Sequence, residues 1–393
     1  MRNEFLVRDL RHRSAWLRTI ATLIRQRQLL ALFAGIALTG LADAGPPNVD
    51  TEGTIHVPAF DMPFSDLASP EALAGFLSVQ KSPQALFNLP PNTPIAEMRR
   101  LMDEQYFNPL AAKQRAAFQV TMQQSTIGGV PVEIYTPKQG ISQRNARRVL
   151  INVHGGAFSL GAHTESQIES IPLAGTARIK VISVDYRQGP EYHFPAASED
   201  IAAVYRELIK SYKPTEIGIY GCSAGGVLTG ESMAWFQKAG LPNPAGIGIF
   251  GAHTQSRSGD SQYTSGRFGS VVEVFPTPPP KWPAPNDPYF EFPKNLAYFA
   301  GADHNDPLVI PSASPAVMAK FPPTLLIVGS RDIMASGASR TQIQLAMAGV
   351  DARFFSWDGM DHCFINDPDF PESRGAYQII TNFFEEQFDK AKR

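Results

Sequence analysis

Only two cysteines, Cys222 and Cys363, occur in 393 residues. That excludes a small fold stapled by several disulfides, and it excludes a zinc site built from four thiolates. Charge is also sparse. Charged residues make up 18% of the chain and the formal net charge is −2. No long basic stretch lies beyond the first 28 residues, so no nucleic-acid partner held by phosphate contacts is expected. No apolar run reaches the roughly 20 residues of a membrane-spanning helix. No G-x-G-x-x-G opens a helix after a strand, which removes a dinucleotide-binding dehydrogenase. Internal repeats are missing too. What is present is 43% hydrophobic residues, too apolar for a disordered chain. The length allows two or three domains, or one large α/β domain with a cap. Prolines (33) and glycines (31) are frequent without a period, as in a loop-rich enzyme.

The N-terminus reads as a processing segment. Residues 1–28 hold seven arginines against Glu4 and Asp9, and residues 29–42 then run without a charge. Ala42-Asp43-Ala44 follows as an A-x-A cleavage pattern before Gly45. A basic region, an apolar region and small residues are the parts of a signal peptide, expected here as residues 1–44. Export to a periplasm or the medium follows from it. An uncleaved N-terminal anchor or an amphipathic helix is the alternative.

Residues 45–125 are proline-rich and then helical, with apolar residues at three- and four-residue spacing near 70–73 and over 95–118. After Gly128-Gly129 the pattern changes. Short apolar runs at 130–135, 149–153, 181–185, 217–220, 245–250, 324–328 and 353–357 read as strands. Helical patterns occupy 197–211, 224–238, 336–347 and 375–390. Short apolar strands separated by helices indicate an α/β fold with a mostly parallel sheet covered on both faces. Residues 252–320 break this rhythm with Pro276, Pro278, Pro279, Pro280, Trp282 and Pro283, then Tyr289, Phe290 and Phe292. Such an insertion forms either a pocket wall or a packed surface loop.

Two segments carry the chemistry. Gly221-Cys222-Ser223-Ala224-Gly225 is a G-x-S-x-G between a strand pattern and a helix pattern. A serine on that sharp turn is exposed above the sheet, and the following helix N-terminus favours charge developing beside it. Serine is a weak nucleophile at neutral pH and needs a base. His154-Gly155-Gly156-Ala157-Phe158 follows the apolar run at 149–153. Bare backbone N–H groups of Gly155 and Gly156, with that of Ala224, suit an oxyanion hole.

These pieces resemble the α/β-hydrolase fold, and within it the hormone-sensitive-lipase-like branch that includes bacterial carboxylesterases. The motifs are 154–158, then Asp185-Tyr186-Arg187 through Glu191 with Phe194-Pro195-Ala196, then 221–226 and 359–364. They come in the family's order and span roughly residues 125–390. The resemblance implies a catalytic domain at 126–393, with 45–125 as a helical cap segment and 252–320 contributing to the cap. It implies Ser223 as nucleophile, His362 as base and Asp332 as the orienting acid. His253 is a rival base, and Asp358 and Asp361 are rival acids. Asp185, Arg187 and Glu191 are expected to hold loops through ion pairs. The branch usually has aspartate where this chain has Cys222. The order Cys222-Ser223, Asp332, His362-Cys363 is similar to that of tannases and fungal feruloyl esterases, where a disulfide ties the two catalytic residues together. That implies a Cys222–Cys363 bond, the alternative being two buried thiols.

The expected activity is a serine carboxylic-ester hydrolase acting on a small-molecule ester, with no metal and no organic cofactor. A lactone or amide hydrolase on the same residues, and a non-catalytic ligand-binding relative, are the alternatives. A homo-oligomer is compatible with the sequence.

Overall fold

The computed structural model describes residues 47–51, 53–57, 61–81, 93–257, 259–265 and 296–390. The expected signal peptide and the proline-rich centre of the 252–320 insertion lie outside these residues. The chain divides into two compact units, Met1–Pro63 and Phe64–Arg393. In the first, β1 (Asn48–Val49) pairs antiparallel with β2 (Ile55–His56).

The second unit is built on one eight-stranded sheet. Its strands are β3 (Val120–Ile127), β4 (Val130–Pro137), β5 (Val149–Val153), β6 (Lys180–Val184), β7 (Ile217–Cys222), β8 (Gly246–Phe250), β9 (Thr324–Gly329) and β10 (Ala352–Trp357). The spatial order is β10-β9-β8-β7-β5-β6-β4-β3. The five pairings from β10 to β6 are parallel, whereas β6–β4 and β4–β3 are antiparallel. The helices of eight residues or more are α1 (Pro70–Lys81), α2 (Ile95–Met102), α3 (Asn108–Ala117), α4 (Glu165–Ala177), α5 (Ala196–Leu208), α6 (Ala224–Ala239), α7 (Ala335–Met347) and α8 (Pro371–Lys390). This is the α/β-hydrolase architecture. Among the described residues no helix is long and apolar enough to cross a membrane.

Side-chain alternation along β5 shows how both faces are filled. Val149, Ile151 and Val153 point into one core with Val204, Leu228, Phe236 and Leu345, from α5, α6 and α7. Leu150 points into the other with Ile171, Leu173, Ile380, Phe383 and Phe384, from α4 and α8. The last helix therefore packs on the sheet. Buried on both faces, β5, β7, β8 and β9 have to be near-continuous apolar runs.

Strand β3 and helix α4 are the longest elements that the sequence pattern does not anticipate. Strand β3 is half polar (VTMQQSTI) and largely exposed at the sheet edge, so it carries no apolar alternation to read. Helix α4 was not expected at all. It is buried on nearly every side and contains Pro172, so it shows neither an amphipathic stripe nor an uninterrupted helical composition.

The crossing of β7 into α6 brings backbone against backbone. A Cβ on Gly221 would stand 2.1 Å from the Val153 carbonyl oxygen, and one on Gly225 would stand 1.8 Å from it. Only hydrogen fits at either place. Gly225→Ala is expected to force β5 and α6 apart and destabilise the protein by ~3 kcal/mol or more. Denaturant unfolding measures this; a variant of wild-type stability would contradict the packing described.

Candidate active site

Ser223 occupies the joint between β7 and α6. Its backbone sits at φ 54°, ψ −125°, a region rarely populated by residues with a side chain. The strain is held by its N–H donating to Phe250 O at 2.9 Å and its carbonyl accepting from Val227 at 3.1 Å. Such over-determined strain is common at functional sites. The side chain is lifted out of the strand, and the Ser223 hydroxyl donates to His362 Nε2 at 2.9 Å. His362 Nδ1–H donates in turn to Asp332 Oδ1 at 3.0 Å.

The two partners come from adjacent loops after parallel strands. Asp332 lies in the turn after β9, fully buried, where Oδ1 also accepts the Met334 N–H at 2.8 Å. His362 lies in the loop after β10. The loops are laced: Ser330 N–H donates to Trp357 O at 2.8 Å, Arg331 N–H to Met360 O at 2.9 Å, and Gly359 N–H to Ser330 Oγ at 2.9 Å. Burial pulls the His362 pKa down, but the Asp332 charge and hydrogen bond, with the Asp361 charge, outweigh it and raise the value above 6.5. Such a ring can take a proton from serine and keep it while charge develops nearby.

The rivals are placed elsewhere. His253 is fully buried against Gly337, accepts the Gln255 N–H, and is lowered by burial to about 4. Asp358 accepts the Ser65 hydroxyl. Asp361 acts on His362 by charge, while Asp332 makes the bond to Nδ1.

Cys222 and Cys363 form a disulfide with Cα atoms 6.2 Å apart. It joins the residue before Ser223 to the residue after His362, across 141 positions of sequence. Cys363 takes the left-handed conformation, φ 50°, as the chain turns away from the histidine. Both cysteines are buried.

The turn at residues 154–158 requires one correction. Gly155 was expected to offer its N–H to the substrate, but that N–H donates to Glu169 Oε1 at 2.9 Å. The turn instead leaves Gly156, Ala157 and Ala224 with N–H groups that have no acceptor among the described residues. Gly156, Ala157 and Phe158 follow one another at φ 95°, 50° and 62°, a left-handed run that exposes successive N–H groups. Ala157 was missed because alanine carries no glycine signature; only the backbone angles reveal it.

Helix α2 and the π-helical turn Asp103–Phe107 that joins it to α3 bond to the segments flanking this turn. Arg99 donates to Ser159 O at 2.8 Å and Gly189 O at 3.0 Å, and Asp103 accepts the Thr164 hydroxyl at 2.6 Å. Glu191 pairs with Arg99 at 2.7 Å, Arg187 with Asp200 at 2.9 Å, and Asp185 lies 3.5 Å from His163. The Arg99–Glu191 and Arg187–Asp200 ion pairs brace the loops around the turn. Among the described residues no cluster of three or more His, Cys, Asp or Glu could hold a metal.

A family model for the alpha/beta hydrolase fold matches residues 150–366. The chain belongs to the alpha/beta hydrolase fold family. This hydrolase is similar to the acetyl-hydrolase of Streptomyces hygroscopicus, 27% identical over 242 residues, 61% of this chain and 76% of that protein. It is 27% identical to an esterase of Acinetobacter venetianus over 251 residues, covering 62% and 76%. A solved esterase structure superposes with a TM-score of 0.69 at 27% identity, covering 84% of this hydrolase and 98% of that chain. An esterase of the bacterial hormone-sensitive lipase family shares the fold at 24% identity and a TM-score of 0.66, covering 81% and 99%.

The disulfide generates a direct expectation. Protein purified without reductant and then denatured should show no reactive thiol in a colorimetric thiol assay. Two reactive thiols would contradict the bond. Reduction should lower stability by about 2–5 kcal/mol, because the closed loop is long.

Proposed function

We propose that this carboxylic-ester hydrolase works through an acyl-enzyme on Ser223. The observation that carries it is the continuous hydrogen-bonded chain from the Ser223 hydroxyl through His362 to buried Asp332. The Ser223 oxygen adds to the ester carbonyl while its proton passes to His362 Nε2. Negative charge gathers on the former carbonyl oxygen, where Gly156, Ala157 and Ala224 N–H groups receive it. Collapse breaks the ester C–O bond, and His362 returns the proton to the leaving alcohol. Water then repeats the sequence on the acyl-enzyme, releasing the acid and free Ser223. Asp332 fixes the tautomer with the proton on Nδ1 and stabilises the imidazolium. Helix α2, tied by Arg99 to Ser159 and Gly189, is the segment this reading takes as a wall of the substrate pocket. A short or medium acyl chain on a small-molecule ester is the substrate class the branch supports.

Hydrolysis of p-nitrophenyl esters of increasing acyl length tests this. The wild type should turn over short chains, and Ser223→Ala should lose roughly 10⁴-fold or more in kcat while staying folded. Full turnover by Ser223→Ala would overturn the reading. Parallel p-nitroanilides report on amides, and esters should be the faster substrates.

The pH dependence has a definite sign. His362 must be neutral to accept the serine proton, and its pKa is raised. Activity should therefore fall with acidity along a limb centred above pH 6.5 in kcat/KM. Asp332→Asn removes the charge that raises it, so the limb should move to lower pH as the rate drops by about 10⁴-fold. A limb that stays in place would contradict the role given to Asp332.

A further inference from the structure

The ladder between β5 and β7 ends at Asn152 and Tyr220. Beyond that point the two chains diverge, one toward the oxyanion turn and the other toward Ser223. Each then carries a backbone N–H with no strand to pair it, Gly155 on one side and Cys222 on the other. Both find the same acceptor. Glu169 takes the Gly155 N–H on Oε1 at 2.9 Å and the Cys222 N–H on Oε2 at 3.2 Å. Oε2 also accepts Asn152 Nδ2 at 2.7 Å.

The acceptor is itself fixed. Asn152 sits in the middle of an apolar strand, and its amide is oriented by the Ser183 hydroxyl, which donates to Oδ1 at 2.7 Å. Tyr220 donates its hydroxyl to the Glu169 backbone carbonyl at 3.1 Å, anchoring α4 to β7. All these groups are buried. Glu165, one helical turn earlier, fills the space behind the same turn: a Cβ on Gly155 would stand 2.5 Å from Glu165 Oε1. Nothing in the proposed reaction uses Glu169, yet among the described residues it is the one side chain bonded to both backbones that carry the proposed oxyanion donors.

We propose that Glu169 is a positioning residue for the oxyanion hole. Its carboxyl group clamps the turn before Gly156 to the turn before Ala224, so that N–H groups from two separate loops converge on one point. A ladder would have fixed this distance; where it ends, a single side chain with two acceptor oxygens replaces it. The inference rests on the oxyanion reading given under the proposed function.

The test is Glu169→Gln, nearly the same in shape. A glutamine presents an NH₂ where one oxygen stood, so either Gly155 or the Cys222–Asn152 pair loses its acceptor. The expected result is a fall in kcat on the order of 10- to 100-fold, with KM almost unchanged. Affinity for a trifluoromethyl ketone, whose serine adduct carries an oxyanion, should weaken by a similar factor. A merely structural role would shift the unfolding midpoint and leave kcat per folded enzyme and ketone affinity at wild-type values; that outcome overturns the proposal. If Glu169→Gln does not fold, Asn152→Ala keeps both carboxyl oxygens but removes the amide that orients them, so the same two quantities should fall by a smaller factor. Wild-type values in Asn152→Ala would then overturn it. Ester turnover that survives in Ser223→Ala sinks the mechanism itself, whereas a Glu169→Gln enzyme with wild-type kcat sinks only the clamp.

Discussion

The close crossing of β7 and α6 over the Val153 carbonyl governs the site. At that crossing no side chain fits at residues 221 or 225, and the chain turns so sharply that Ser223 is driven to positive φ. The strain lifts the hydroxyl off the sheet, and it starts α6 directly beneath the reacting atom. Because the same carbonyl belongs to β5, the crossing also fixes where the oxyanion turn begins. One packing constraint thus sets both Ser223, the proposed nucleophile, and the turn facing it. The burial of β5, β7, β8 and β9 on both faces is what holds the crossing rigid.

The other half of the site is brought in by topology. Asp332 and His362 follow neighbouring parallel strands, so their loops emerge at the same sheet end and bond to each other through Ser330, Arg331 and Gly359. The disulfide then links the histidine loop to the nucleophile strand, one residue from each reacting group. A hydrogen bond between residues 139 apart in sequence would otherwise depend on the packing of separate loops. With the covalent link, Ser223 and His362 cannot drift apart independently. The electrostatics follow the same geometry: a buried carboxylate behind the ring keeps the histidine basic although burial alone would not.

Much of this was legible in the sequence because the backbone dictates the residue. Glycines at 221 and 225 are forced by contact, and apolar runs are forced by two-sided burial. Asp332, which follows the apolar run at 324–328, was named by the family resemblance. The parts that were not legible share a cause: their partners lie far away in sequence. Gly155 looked like an oxyanion donor because a glycine pair advertises bare N–H groups, but not which of them is already bonded. Its acceptor, Glu169, sits on a helix whose burial erased the periodicity that would have announced it. Strand β3 escaped for the opposite reason, being too exposed to need apolar residues. The clue that did exist was an asparagine in the apolar run at 149–153, a buried polar group that must have a partner.

The central claim is that catalysis passes through a covalent ester on Ser223. Acid-quenching the enzyme during turnover of a slowly deacylating ester, then digesting it for mass spectrometry, tests this most directly. The account predicts one added acyl group, located on Ser223. Turnover with an unmodified Ser223, or an acyl group on another residue, would contradict it.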